Sequence, residues 1–243
     1  MTRLVTVAAQ FRGPPNSANG GYACGMLGRE IAGACTAFLR APVPLDTPLS
    51  LVRDGAGVKL LDGAGALVGE AAPAQAGSLG EAPAAPSLAA ALEAGRGFPG
   101  LKRSFHPICF TCGDQLADGE GLRVFTGQVA GAPAGFVAGV WTPDASFADT
   151  AGLVATEVVW AALDCPGSVA WVVQEGGGGL LGSMTCEVRR RPGAGEPCIV
   201  AAWPIEQSGR KRLSGTALYS AEGELMAVSR QIWIGRAPEA KAA

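Results

Sequence analysis

The stretch Phe38-Leu39-Arg40-Ala41-Pro42, continued through Pro48-Leu49-Ser50-Leu51-Val52, has a counterpart far down the chain. There Glu187-Val188-Arg189-Arg190-Arg191 leads into Pro197-Cys198-Ile199-Val200-Ala201, and farther on Gly65-Ala66-Leu67-Val68 is echoed by Gly223-Glu224-Leu225-Met226. Each passage alternates apolar and polar residues between proline and glycine breaks, the period of half-buried strands. A small-residue apolar stretch of helical period comes before each one. The first, 22–36, presents Tyr22, Met26, Leu27 and Ile31, with Gly25, Gly28 and Ala32 to allow close packing and Asn19 as its N-cap. The second, about 147–163, carries Leu153, Val154, Val158, Trp160 and Ala161. Strands are expected at 3–8, 37–41, 49–54, 57–61 and 66–71, with Asp54-Gly55 and Asp62-Gly63 as hairpin turns. A second set is expected at 122–129, 135–142, 180–190, 197–206, 212–219 and 224–234.

Each half is thus one helix followed by a run of antiparallel strands. A helix wrapped by such a sheet is buried on nearly every side, which accounts for two helices so apolar and so rich in glycine and alanine. The pattern predicts an α+β chain of the double hotdog kind, two central helices each wrapped by antiparallel strands. The first hotdog spans 1–85 and the second 122–236, with a tail at 237–243. Between them, 86–121 is expected to be a linker with a short helix at Leu88–Ala94 and a Cys-x-x-Cys turn, since 72–100 is rich in Ala, Pro, Gly and Ser.

Composition narrows the function. The 243 residues are 48% hydrophobic and 16% charged, well below the ~25% charged of an average domain, with a net charge of −2. No basic footprint for nucleic acid is present. The apolar stretch Gly152 to Val173 is interrupted by Glu157 and Asp164, and the N-terminus lacks the apolar run of a signal peptide, so no membrane association is expected. Seven cysteines, an odd number in apolar surroundings, suit reduced thiols and a cytoplasmic location. The one histidine, His106, excludes His–His acid/base pairs and zinc sites built on several histidines.

Polar groups in apolar elements are costly unless they serve a purpose. Three stand out: Asp164 after Trp160-Ala161-Ala162-Leu163, Thr185 within Leu180–Cys186, and Gln231 within Ser229–Trp233. A carboxylate, a hydroxyl and an amide converging on one water could activate it for attack on a carbonyl carbon. Read separately, Asp164 is a turn residue before Cys165-Pro166-Gly167, Thr185 a β-former and Gln231 an outward strand residue. Glu157, seven residues before Asp164 and about 10 Å away on the same helix face, is a competing carboxylate, either a base or an ion-pair partner for an arginine.

The chain resembles the double-hotdog acyl-CoA thioesterases of the bacterial type II class. Asn19-Gly20-Gly21-Tyr22-Ala23-Cys24-Gly25 is similar to that family's Gly-Gly helix start, and Phe38-Leu39-Arg40-Ala41-Pro42 to its Phe-Leu-Arg-Pro segment. The family's water-binding trio falls on Asp164, Thr185 and Gln231. The resemblance implies hydrolysis of an acyl-CoA thioester without a cofactor, in a homodimer or larger assembly. It also implies that Asn19, Gly20, Gly21 and Glu157 bind substrate, with helix-start N–H groups polarising the carbonyl or facing a phosphate of CoA. Paired glycines would equally serve close helix packing. Cys186-Glu187 stands where the family has Asp-His after its Thr, and Ile232-Trp233 where it has Glu-Gly after its Gln. The segment His106-Pro107-Ile108-Cys109-Phe110-Thr111-Cys112-Gly113 resembles instead a subgroup marked by Cys-Phe-x-Cys-Gly. Its His106, Cys109 and Cys112 supply three of the four ligands of a structural zinc, so no metal is expected and a turn with packed thiols is. The alternative function is an acyl or acyl-CoA binding protein that keeps the fold without the chemistry.

Overall fold

The computed structural model describes residues 2–235. Alternating sequence becomes strand, and eleven strands join in one antiparallel sheet. In chain order the elements are β1 (Thr2–Val5), α1 (Gly20–Gly28), β2 (Cys35–Leu39), β3 (Leu49–Asp54), β4 (Gly57–Leu61) and β5 (Leu67–Pro73). After α2 (Leu88–Arg96) come β6 (Gly127–Gln128), β7 (Val137–Trp141), α3 (Thr156–Glu175), β8 (Gly179–Val188), β9 (Cys198–Ser208), β10 (Lys211–Ser220) and β11 (Leu225–Gly235). The sheet order is β1-β3-β4-β5-β2-β8-β11-β10-β9-β7-β6. From the central β2–β8 pair outward, β5 answers to β11, β4 to β10, β3 to β9 and β1 to β7, so the two halves mirror each other. The central register sets Cys35 opposite Cys186, Thr36 opposite Thr185 and Ala37 opposite Met184.

Helices α1 and α3 run antiparallel to each other and share the apolar face of the sheet. Their contact depends on three glycines one helical turn apart. A Cβ at Gly21 would lie 2.6 Å from Asp164 Cβ, one at Gly25 2.6 Å from Glu157 Cα, and one at Gly28 2.6 Å from the Trp160 ring. Glycine is required there for space, and the largest buried cluster forms around this contact with Leu27, Trp160, Leu163 and Met184.

Several expected boundaries move. The first helix ends at Gly28 rather than 36, because the chain turns through Gly33 in the left-handed region (φ 74°) and joins the sheet at Cys35. The second helix begins at Thr156, since Asp149 Oδ1 accepts the amides of Ala151 and Leu153 and holds the preceding residues in a loop. It then continues past Asp164 and Pro166 to Glu175, stopping at Gly176 in the left-handed region (φ 75°). Proline in a helix removes a backbone donor and disturbs the preceding turn. Strand side chains attend to the carbonyls around it: Gln231 Nε2 donates to Leu163 O (2.6 Å) and Ser214 Oγ to Gly167 O (2.8 Å). The strand expected at 122–129 is reduced to Gly127–Gln128, because Leu122 and Val124 donate instead to the carbonyls of Phe110 and Thr111.

The glycine- and alanine-rich middle is packed. Arg230 Nη2 donates to Glu81 O (3.1 Å) and Tyr219 Oη to Pro83 O (2.5 Å), and α2 buries Ala91 and Ala94 against the outer face of the sheet. Position 236 and the expected tail at 237–243 lie outside the described residues. Among the described residues no helix is long and apolar enough to cross a membrane.

Candidate functional site

Asp164 occupies the middle of α3, 3% exposed, facing the first turn of α1. Its Oδ2 accepts the Gly21 N–H at 3.0 Å, and its Oδ1 is buried without a hydrogen-bond partner. Burial pushes the carboxyl up to about 7. The Gly21 amide works against that shift, Cys109 adds to it, and the Asn19 amide opposes it. Asn19, 1% exposed, caps α1: its Oδ1 accepts the Tyr22 N–H (2.9 Å), while Nδ2 donates to Thr111 Oγ1 (3.1 Å) and toward Cys109 Sγ (3.8 Å). Thr111 Oγ1 donates in turn to Ala161 O on α3 (2.7 Å). The Gly20 N–H, first of the helix, has no acceptor among the described residues. A buried carboxyl group, a free amide and the positive end of a helix therefore meet at one place.

The other two members of the expected trio lie on opposite faces of the sheet. Along a strand, neighbouring side chains point to opposite faces. Gln231 pairs with Met184 on the helix-covered face, whereas Thr185 pairs with Arg230 on the other. Thr185 Oγ1 shares a hydrogen bond with Thr36 Oγ1 (2.9 Å) across the central strand pair. Gln231 is fully buried, with its amide engaged: Nε2 also reaches Thr216 Oγ1 (3.2 Å) and Ser229 Oγ (3.1 Å), and Oε1 accepts from Trp233 Nε1 (2.9 Å). The structure brings Asp164 together with Asn19, Gly20 and Gly21. It does not bring Thr185 to the same face as Gln231.

Glu157 lies at the opposite end of the α1–α3 contact, hydrogen-bonded and ion-paired to Arg29. The arginines 189–191 are also spent on carboxylates: Arg189 on Glu187, Arg190 on Glu196 and Arg191 on Asp149, each pair 2.8 Å apart. The Cys-Phe-Thr-Cys segment lies against the helix start. Phe110 packs edge-on to Phe11, Tyr22 and Phe147, and the Cys109 sulfur lies 3.6 Å from that of Cys165 on α3. Hydrogen bonds from the Cys112 and Cys165 thiols hold Cys109 well below the usual thiol range. His106 is exposed, and the third cysteine of the group is Cys165. Sequence reading missed it because it stands 56 residues from Cys109.

No family model matches the chain, and no curated protein matches it. Solved structures do. A putative thioesterase from Novosphingobium aromaticivorans DSM 12444 is 15% identical, with 96% of this chain and 94% of that one covered and a TM-score of 0.63. The acyl-CoA thioesterase II TesB2 of Mycobacterium marinum is 14% identical over 98% and 94%, with a TM-score of 0.61. A conserved protein of unknown function with a hot dog fold, from Alicyclobacillus acidocaldarius, is 15% identical over 98% and 94%, at 0.55. The chain has a hotdog fold. In this hotdog the helix start of α1 and the mid-helix carboxylate of α3 face each other across the glycine contact, and the Cys-x-x-Cys segment closes over them.

Proposed function

We propose that the protein is an acyl-CoA thioesterase in which Asp164 is the general base. One observation carries this reading: a buried carboxylate has one oxygen fixed by the Gly21 N–H and the other unpaired beside a helix start. In the proposed reaction a water held by Asp164 Oδ1 attacks the thioester carbonyl carbon and gives its proton to the carboxylate. The developing oxyanion takes the Gly20 N–H, where the helix end favours negative charge. Collapse expels the CoA thiolate, which is protonated from Asp164. Asn19 is a positioning residue that fixes the helix start. The names of the neighbouring structures, thioesterase and acyl-CoA thioesterase II, support the substrate class.

We further read the mirrored sheet order as two hotdog modules fused in one chain, 1–85 and 122–236, within the subgroup marked by Cys-Phe-x-Cys-Gly. Such a unit is expected to associate as a homodimer or higher. Seven thiols outside any disulfide fit the cytoplasm. The trio of Asp164, Thr185 and Gln231 is carried forward only in its first member.

The test is release of free CoA thiol from a panel of acyl-CoAs of increasing chain length, by the wild-type protein. Turnover that saturates with at least one chain length is the expected result. Saturable binding of acyl-CoA with no turnover across the panel would replace this reading with that of an acyl-CoA binding protein.

A further inference from the structure

The Sγ atoms of Cys109, Cys112 and Cys165 all lie within 4.8 Å of one another, with 3.6 Å between Cys109 and Cys165. Thiolates bound to one zinc at about 2.3 Å in tetrahedral geometry stand about 3.8 Å apart, so the three sulfurs lie within about 1 Å of ligand spacing. The first two come from a tight turn that glycine closes. Gly113 N–H donates to Cys109 O at 2.8 Å, and a Cβ at 113 would lie 2.6 Å from that oxygen and 2.7 Å from Pro107 O. The third comes from α3, to which Thr111 is tied through Ala161 O. Asn19 Nδ2 points at the Cys109 sulfur (3.8 Å), the kind of outer hydrogen bond that orients a metal thiolate. A disulfide would use two of these sulfurs and leave the third without a task.

We propose that Cys109, Cys112 and Cys165 form a zinc site of three thiolates that staples the 109–113 turn to α3. An all-sulfur set selects a thiophilic cation over magnesium or calcium, which need oxygen ligands. Binding releases the thiol protons of the ligands to solvent, and no electron is transferred. Cys165 is only partly buried, and the fourth coordination position falls to an exogenous ligand such as water. The inference stands apart from the thioesterase reading, since its test measures metal and not turnover.

Full-length protein, reduced and stripped of metal under anaerobic conditions, is titrated with Co2+ as a spectroscopic probe and then with Zn2+. One Co2+ per chain with strong sulfur-to-cobalt charge-transfer absorption is expected, displaced by one Zn2+. In the wild type, zinc should protect three thiols from alkylation by a maleimide. Cys165→Ser and Cys112→Ser should each weaken zinc binding at least ~100-fold, whereas Cys198→Ser, buried in a distant strand, should bind like the wild type. If Cys165→Ser does not fold, Cys112→Ser and the wild-type protection count decide. Absence of the charge-transfer band, no protected thiols, or wild-type affinity in a folded ligand variant would overturn the site.

Discussion

Asp164→Asn is expected to lower the rate of acyl-CoA hydrolysis by about 100-fold to 10,000-fold, the usual contribution of a positioned general base, while making the protein more stable at pH 8. Both effects have one cause. The buried carboxyl of Asp164 is pushed up to about 7 from an ordinary 3.8. The folded state therefore holds a proton that the unfolded chain has already lost between those values. Stability falls as pH rises through that window and stays low above it. At about 1.36 kcal/mol per pH unit, a separation of this size sets a ceiling of about 4 kcal/mol on the cost of the ionised form. Asparagine keeps an oxygen for the Gly21 N–H but buries an amide nitrogen where Oδ1 was unpaired, which returns part of the gain. A net stabilisation of about 2 kcal/mol at pH 8, shrinking toward zero below pH 4, should appear in urea denaturation of the reduced, metal-free protein. A variant less stable than the wild type at pH 8 would mean that the carboxylate is better paired than the geometry shows.

Gly25→Ala should be among the most damaging small substitutions in the helix pair. The new Cβ would lie 2.6 Å from Glu157 Cα and 2.7 Å from Trp160 Cβ, atoms attached to or part of the α3 backbone that no rotamer change can move aside. Relief requires the two helices to separate, opening voids along the rest of the interface. A loss of about 3 kcal/mol is expected, the upper part of the usual range for overpacking. In a chain of this size that is a fall in Tm of about 10 °C. Gly28→Ala meets the outer ring of Trp160 (2.6 Å), side-chain atoms rather than backbone, and should cost less. Equal losses at the two positions in calorimetry would contradict the distinction between backbone and side-chain obstruction.

The hotdog was legible because its evidence is local. The small residues Gly25, Gly28 and Ala32 and the strand alternation between turn residues both survive without knowledge of the partner. The site was half legible. Asp164, Asn19, Gly20 and Gly21 were all singled out, but their convergence depends on the antiparallel crossing of α1 and α3. Thr185 and Gln231 looked alike in sequence, two polar residues in apolar strands. Their faces are decided by register, and the pairing of Gln231 with Met184 turns Thr185 away. The helix end expected near Asp164 was misplaced for a related reason. Pro166 ordinarily stops a helix, and the donors that attend to the carbonyls around it, Gln231 and Ser214, arrive from strands far along the chain. Cys165 is invisible to a Cys-x-x-Cys motif, because the third sulfur comes from the helix across the fold.

The most direct test of a site at the α1 helix start, rather than a trio spread over the sheet, compares Asp164→Asn with Thr185→Val on one acyl-CoA that the wild type turns over. Thr185 binds Thr36 on the far face of the sheet, so its loss should leave kcat/KM within about threefold of wild type, less than 1 kcal/mol of transition-state stabilisation. Asp164→Asn should fall by at least about 100-fold. A Thr185→Val variant that retains its fold yet loses as much kcat/KM as Asp164→Asn would contradict the account.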